Sequence, residues 1–194
     1  YYSRGGSTAE LARQACHGID AVAGATAMLR TVPPVRTGID EPVAAVPSEG
    51  PPYVTAEEFA GCDGLLLGSP TRFGNMAAPL KHFLDTTSAA WASGALVGKP
   101  AGVFTSTSTL HGGHEATLLT MMLPLLHHGM LLVGLPFTEA GLTQTRAGGS
   151  PYGAGAVISG RFGQHAEEER QLARRLGERI AGISVQLAGG KSQR

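Results

Sequence analysis

Residues Gly64 to Asn75 read GLLLGSPTRFGN. The first five form a wholly apolar run closed by glycines, the pattern of a strand buried on both faces. A loop of hydroxyl, proline and glycine residues, Ser69–Asn75, follows at once. Met76–Thr86 then reads as a helix, with Pro79 tolerated in its first turn. Strand, polar loop and helix recur downstream as Ala101–Thr105 (AGVFT), Ser106–Gly113 (STSTLHGG) and an apolar helix, His114–Gly129. Upstream, the loop Ser3–Thr8 (SRGGST) opens a helix over Ala9–Ala23, with Leu11, Ala15, Ile19 and Val22 at helical spacing.

Thr26–Val32 reads as a short strand, and Pro33–Pro52, with its six prolines, as a long surface loop. Thr55 and Glu58 fit a capping box that starts a short helix ending near Gly61. Met130–Val133 reads as a strand, Gly134–Gly160 as a glycine-rich loop and Gln164–Leu187 as a closing amphipathic helix. Strands alternating with helices give the α/β class with a parallel sheet, in a single domain over residues 1–194. A right-handed crossover needs a strand ahead of the first helix. The expectation is therefore that the sequence starts inside its first strand, of which Tyr1 and Tyr2 remain.

Formal net charge is zero, from 15 Lys+Arg and 15 Asp+Glu, so the basic surplus of a general nucleic-acid binder is absent. The 28 glycines among 194 residues, about twice average usage, imply tight turns or backbone lying close to a ligand. Cys16 and Cys62 read as two buried thiols in a reducing compartment, hence a cytoplasmic protein. No apolar run reaches the ~18 residues of a membrane-spanning helix.

In open α/β sheets ligands bind beyond the carboxyl ends of the strands. Ser3–Thr8, Ser69–Asn75 and Ser106–Gly113 all leave strands there, and all are rich in hydroxyls and glycine. The first runs directly into a helix, whose free N–H groups and dipole favour an anion such as a terminal phosphate. The same pattern also fits a helix cap with no ligand. The second and third loops could hydrogen-bond the edge of a flat heteroaromatic ring.

Gly94–Pro100 (GALVGKP) lacks Walker A spacing, no GxGxxG follows a strand, and HEATL lacks the second His of HExxH. His111, His114, His127 and His128 have no metal-ligand spacing, so no metal is expected. Ser69 lacks the GxSxG elbow of a serine hydrolase. Trp91, in the small-residue loop AAWASG, reads either as part of the core or as a wall for a planar ligand. His127 and His128 read either as partners of a helix C-terminus or as a group that stabilises charge on a cofactor.

YYSRGGSTAELA, GSPTRFGNM, FLD, AAWASGALVGK, FTSTSTLHGGHE, LLHHGM and GGSPYGA stand in this order, nearly the whole length of the chain. Together they resemble the WrbA family of flavodoxin-like NAD(P)H:quinone oxidoreductases. The resemblance implies a three-layer sandwich with a five-stranded parallel sheet in the order 2-1-3-4-5. It places an insertion after the last strand, at Gly134–Gly160. It implies FMN as cofactor, a homotetramer, and two-electron transfer from NADH or NADPH to quinones in ping-pong fashion.

Carried over by position, Ser3, Arg4, Gly5, Gly6, Ser7 and Thr8 would hold the FMN phosphate. Pro70, Thr71, Arg72, Phe73, Gly74 and Asn75 would hold the flavin ring, together with Ser106, Thr107, Ser108, Thr109, Leu110, Gly112 and Gly113. His127 matches the family's flavin-contacting His and Trp91 its active-site aromatic, with Arg72 the third residue implied in catalysis. Trp91, Phe73 and His111 would shape the quinone slot, some of them supplied by a neighbouring subunit. Two departures stand out: Gly5 replaces a common aromatic of the nicotinamide site, and the third loop is one residue longer, with Leu110–His111 where Gly is common. The rival readings are a flavodoxin-like electron carrier and a non-catalytic regulatory binding protein.

Overall fold

The computed structural model describes residues 1–35, 46–158 and 165–191. The element order is α1 (Ser7–Asp20), α2 (Ala56–Gly61), β1 (Leu65–Pro70), α3 (Ala78–Asp85), α4 (Ser88–Ala92), β2 (Pro100–Thr107), α5 (His114–His127), β3 (Leu131–Leu132), α6 (Ala140–Gln144), β4 (Ala154–Val157) and α7 (Glu167–Lys191).

β2 is the axis of the sheet, and all eight of its residues are buried. β1 lies parallel along one edge, from Leu65 opposite Ala101 to Pro70 opposite Ser106. The other edge carries two short strands. β3 pairs with Pro100 and Ala101, and β4 pairs with Phe104–Thr107. They act as one edge strand interrupted by the segment between them. Four strands are therefore seen among the described residues, not five.

Two apolar layers sandwich the sheet. α1 and α7 cover one face through Leu11, Leu172 and Leu176 against Phe104, Ala154 and Ala156. α2, α3 and α5 cover the other through Phe59, Leu80, Leu118, Met121 and Leu125 against Leu67, Ala101 and Val103. Each fully buried Leu of this kind is worth about 1.5–3 kcal/mol. α1 and α7 meet backbone to backbone. A Cβ on Gly18 would overlap the Arg174 carbonyl, and one on Gly177 the Ala15 carbonyl.

The capping box forms as expected. Thr55 Oγ1 accepts the Glu58 N–H at 3.2 Å, and the Glu58 carboxylate accepts the Thr55 N–H at 3.1 Å. Pro79 sits in the first turn of α3. Three readings are corrected. Thr26–Val32 forms no strand, only an isolated bridge from Thr31 to Tyr53, because among the described residues no strand forms a ladder with it. The Gly134–Gly160 stretch contains α6 and β4 and is not loop throughout. β4 (AGAV) has almost no side-chain signal, since its sequence answers to crowding: a Cβ on Gly155 would overlap the His114 ring. Cys16 and Cys62 are free thiols but only partly buried. Of Pro33–Pro52, residues 36–45 lie outside the described residues, as do Gly160 and Gln164.

Three histidines, His114, His128 and His165, are buried, and burial pushes each imidazole below its ordinary range. The unfolded chain binds these protons more readily than the folded one, so their contribution to stability is complete above about pH 6.5 and is lost as pH falls. Urea midpoints are expected to drop steadily between pH 6.5 and 5. His128→Gln, which keeps a hydrogen-bonding side chain beside Thr87, should make that slope shallower. An unchanged slope would assign the acid sensitivity to other groups.

Candidate functional site

Three loops leave the sheet at the carboxyl ends of its strands, and specific bonds tie them together. Thr8, in the first turn of α1, is 1% exposed, and its Oγ1 lies 2.9 Å from Ser106 Oγ at the end of β2. This bond joins the first and third loops. Thr71 joins the second and third: its N–H donates to the Ser106 carbonyl at 3.0 Å. Its hydroxyl pairs with Thr117 Oγ1 at 2.6 Å and donates to the Gly112 carbonyl at 3.3 Å. Thr120 anchors the same corner by donating to the Gly74 carbonyl at 3.2 Å.

The second loop closes in a tight turn. Arg72 N–H donates to the Asn75 carbonyl at 2.7 Å, and Asn75 N–H donates to the Arg72 carbonyl at 3.0 Å. Phe73 and Gly74 between them both have positive φ, 51° and 77°. A positive φ is routine for Gly and strained for Phe. The Phe73 ring is also fully exposed. A large apolar side chain held in a strained backbone and given no protein contact marks a surface built to touch something else. Arg72 is exposed, with its guanidinium donating to its neighbour's carbonyl, Thr71 O, at 2.7 Å.

The first loop is where an anion fits. α1 is 14 residues long and has no side-chain cap at its N-terminus, so N–H groups of its first turn remain available. Gly6 precedes it with φ 87°, and open space lies beside both Gly5 and Gly6. Ser3 Oγ is buried without a hydrogen-bond partner among the described residues. An orphaned hydroxyl beside an uncapped helix start is the donor set a phosphate satisfies. The residues present therefore fit the phosphate end of FMN.

Ser108, Thr109, Leu110 and His111 form the exposed outer rim of the third loop. Thr107 Oγ1 holds the rim by donating to the Thr109 carbonyl at 2.8 Å, and Gly112 N–H does the same at 3.1 Å. Pro70 is buried at the end of β1. Of the residues expected in the site, those in the three loops are thus brought together.

Two are not. His127 is the last residue of α5, whose first turn stands against Thr71. Fourteen residues of helix span about 20 Å. His127 is therefore exposed at the opposite end of the molecule. Trp91 is exposed at that same end, in α4. The Thr87–His128 bond at 3.0 Å holds that region to the end of α5, and Gly98 N–H donates to the Gly129 carbonyl there. Within one chain neither side chain can touch a group held by Thr8 and Thr71.

Residues not singled out from the sequence complete the rim. Ser150 Oγ lies 3.2 Å from the Glu115 carboxylate at the start of α5, and the Tyr152 N–H donates to Ser150 Oγ at 3.2 Å. The chain thus returns from the inserted segment beside the third loop. The only sequence signal was the SPYGA motif itself.

The family described as NADPH-dependent FMN reductase matches residues 3–139, which carry all three loops. The chain belongs to this family. Relatives similar over nearly the whole length are the NAD(P)H dehydrogenase (quinone) of Geobacter sulfurreducens, 42% identical and covering 97% of both chains, and that of Solidesulfovibrio magneticus, 42% identical and covering 96% of both. Among solved structures, a flavodoxin, WrbA-like protein from Agrobacterium tumefaciens superposes with TM-score 0.61 at 21% identity, covering 95% of this chain and 93% of that one. A flavodoxin from the domain Archaea gives 0.60 at 18%, covering 95% and 94%. The fold of this family member is flavodoxin-like.

Proposed function

We propose that this chain is an FMN-dependent enzyme that reduces quinones to hydroquinones with NADH or NADPH. The observation that carries the reading is the Thr8–Ser106 bond, which locks an uncapped helix start to the end of the central strand, in a chain whose full-length relatives are NAD(P)H dehydrogenases (quinone). Bound FMN would supply the two-electron chemistry between NAD(P)H and quinone. The chain's own residues bind and orient. Ser3–Thr8 hold the phosphate through N–H groups and hydroxyls. The Thr71–Asn75 turn and Ser106–Gly113 frame the ring, and Arg72 sets the local charge. Phe73 offers a flat apolar wall to NAD(P)H or quinone, with His111 nearby on the rim of the third loop.

His127 and Trp91 enter this reading from a second copy of the chain. Leu119, Leu123 and Leu126 expose one side of α5, and this apolar strip leads to His127. Such a strip supports a homotetramer in which one subunit's His127 and Trp91 complete its neighbour's site. The strand order 2-1-3-4-5 belongs to the same reading. It is supported by the Tyr2 N–H donating to the Gly68 carbonyl at 2.9 Å and the Thr31 hydroxyl donating to the Tyr1 carbonyl at 3.0 Å. No helix of the described residues is long and apolar enough to cross a membrane, and two free thiols suit a reducing compartment such as the cytoplasm.

Titrating FMN fluorescence and then following NADH with and without benzoquinone tests the activity. Saturable binding with quinone-dependent NADH loss is expected. Binding without turnover would leave an electron carrier or a regulatory protein, and no binding would end the reading. Subunit exchange tests the shared site. His127→Ala and Thr8→Glu are each expected to be inactive alone, whereas mixed oligomers should recover a measurable part of the activity. No recovery in mixed oligomers confirmed by mass would return His127 to a role outside the reaction.

A further inference from the structure

α1 and α7 run side by side in the same direction. His165, just ahead of α7, stands against the Ser7 backbone in the first turn of α1. Two turns further on, Arg174 Nε of α7 donates to the Gln14 side chain of α1 at 2.6 Å. The two helix starts therefore lie next to each other, beside the loop Ser3–Thr8. His165 is 6% exposed, and neither of its ring nitrogens has a hydrogen-bond partner among the described residues. Arg170 Nε in α7 and Ser3 Oγ in the loop itself are also buried without partners among those residues. Buried polar groups normally find partners, so several orphaned groups around one uncapped helix start form a donor set for an anion.

The charged groups that face the His165 ring are Glu10 on α1 and Glu169 and Arg170 on α7. His114, at the start of α5, faces the same Glu169. A phosphate dianion at the α1 start adds negative charge beside the two carboxylates, and a proton taken up nearby offsets it. Glu10 is poorly suited to take that proton, because its hydrogen bonds from Gln14 and Arg13 hold its carboxyl below the usual range. Glu169 uses both oxygens to accept backbone N–H groups, which a proton would displace. Arg170 is already a cation, paired with Glu167 at 3.3 Å. His165 remains. Burial holds its imidazole below the ordinary range, so the ring is neutral at pH 7 before an anion arrives. A dianion close by favours the imidazolium.

We propose that phosphate binding at the start of α1 is coupled to the uptake of one proton by His165, from solvent, so that a neutral imidazole becomes an imidazolium beside the bound dianion. His165 is thereby a specificity residue that favours phosphorylated flavin over riboflavin. The preference strengthens as pH falls from 8 towards 6.5, because more of the free protein then carries the proton that the complex requires. The inference rests on the phosphate site proposed above for Ser3–Thr8, but it needs no quinone turnover.

NMR titration of the His165 ring in the whole chain without flavin is the first test. Sulfate is the probe, since unlike phosphate it does not titrate near neutrality. Saturating sulfate should move the Gly6 and Ser7 amide signals and raise the proton affinity of the ring about tenfold or more. Calorimetry of FMN binding in two buffers of different ionisation enthalpy is the second. At pH 7 the wild type should take up about half a proton more than His165→Gln, a difference in which the ligand's own titration cancels. The preference for FMN over riboflavin should grow several-fold between pH 8 and 6.5 in the wild type and stay nearly flat in the variant. The NMR result decides the matter on the wild type alone should the variant not fold. Shifted Gly6 and Ser7 amides with an unmoved His165 titration would overturn the proposal. Unmoved amides together with no FMN binding would overturn the phosphate site and the proposal with it. Proton uptake by His165 in a protein that reduces no quinone would uphold the proposal and remove only the enzyme activity.

Discussion

Thr8→Glu is expected to weaken FMN binding at least a hundredfold. Thr8 is buried in the first turn of α1 with its hydroxyl on Ser106. The substitution removes that bond and sets a carboxylate at the start of a helix that would otherwise face a phosphate dianion. Two like charges a few ångströms apart in a partly desolvated site, together with one lost hydrogen bond, amount to about 3 kcal/mol, or two decades in Kd. Fluorescence titration measures the effect directly. Thr8→Ser keeps the oxygen and should stay within a few-fold of wild type, and thermal melts of both variants separate lost binding from lost fold. A folded Thr8→Glu protein with wild-type affinity would move the phosphate to another loop.

Glu169→Ala is expected to cost about 3–5 kcal/mol of stability. The carboxylate is fully buried in the first turn of α7, and it accepts three backbone N–H groups. Oε1 takes Gly148 and Val157, both at 2.8 Å, and Oε2 takes Ala166 at 2.9 Å. One side chain thereby pins the inserted segment, the end of β4 and the start of the last helix to each other. Removing it orphans three donors, one buried and two partly buried, at about 1–3 kcal/mol for each group left without a partner. Urea unfolding should show the midpoint falling at unchanged slope, and Glu169→Gln should fall between the two, since its amide keeps one acceptor but turns an NH2 towards the donors. A loss under 1 kcal/mol would show that water or a shifted backbone replaces the carboxylate.

Neither effect was equally visible in the chain. Thr8 was readable because an SRGGST loop running into a helix has a local meaning: glycines for close approach, hydroxyls and free N–H groups for an anion. Glu169 was not, because it sits in a run of three glutamates that reads as ordinary first-turn acid. Its importance comes from Gly148 and Val157, which are far from it in sequence. β4 was missed for a related reason, since AGAV has neither alternation nor β-branched bulk beyond one Val and is a strand because β2 and His114 leave room for nothing larger.

The sequence by itself determined the α/β class, the buried β1 and β2, the capping box and the three hydroxyl- and glycine-rich loops. All of these depend on near neighbours: periodicity, turn chemistry and helix starts act over a few residues. Only the tertiary structure decided that Thr26–Val32 makes no more than an isolated bridge to Tyr53, that the last edge strand is split in two, and that His127 and Trp91 stand about 20 Å of helix away from the loops they were grouped with. Those outcomes depend on which backbone edges meet and which way a helix runs, and residue identity along the chain does not encode the distance between its own ends.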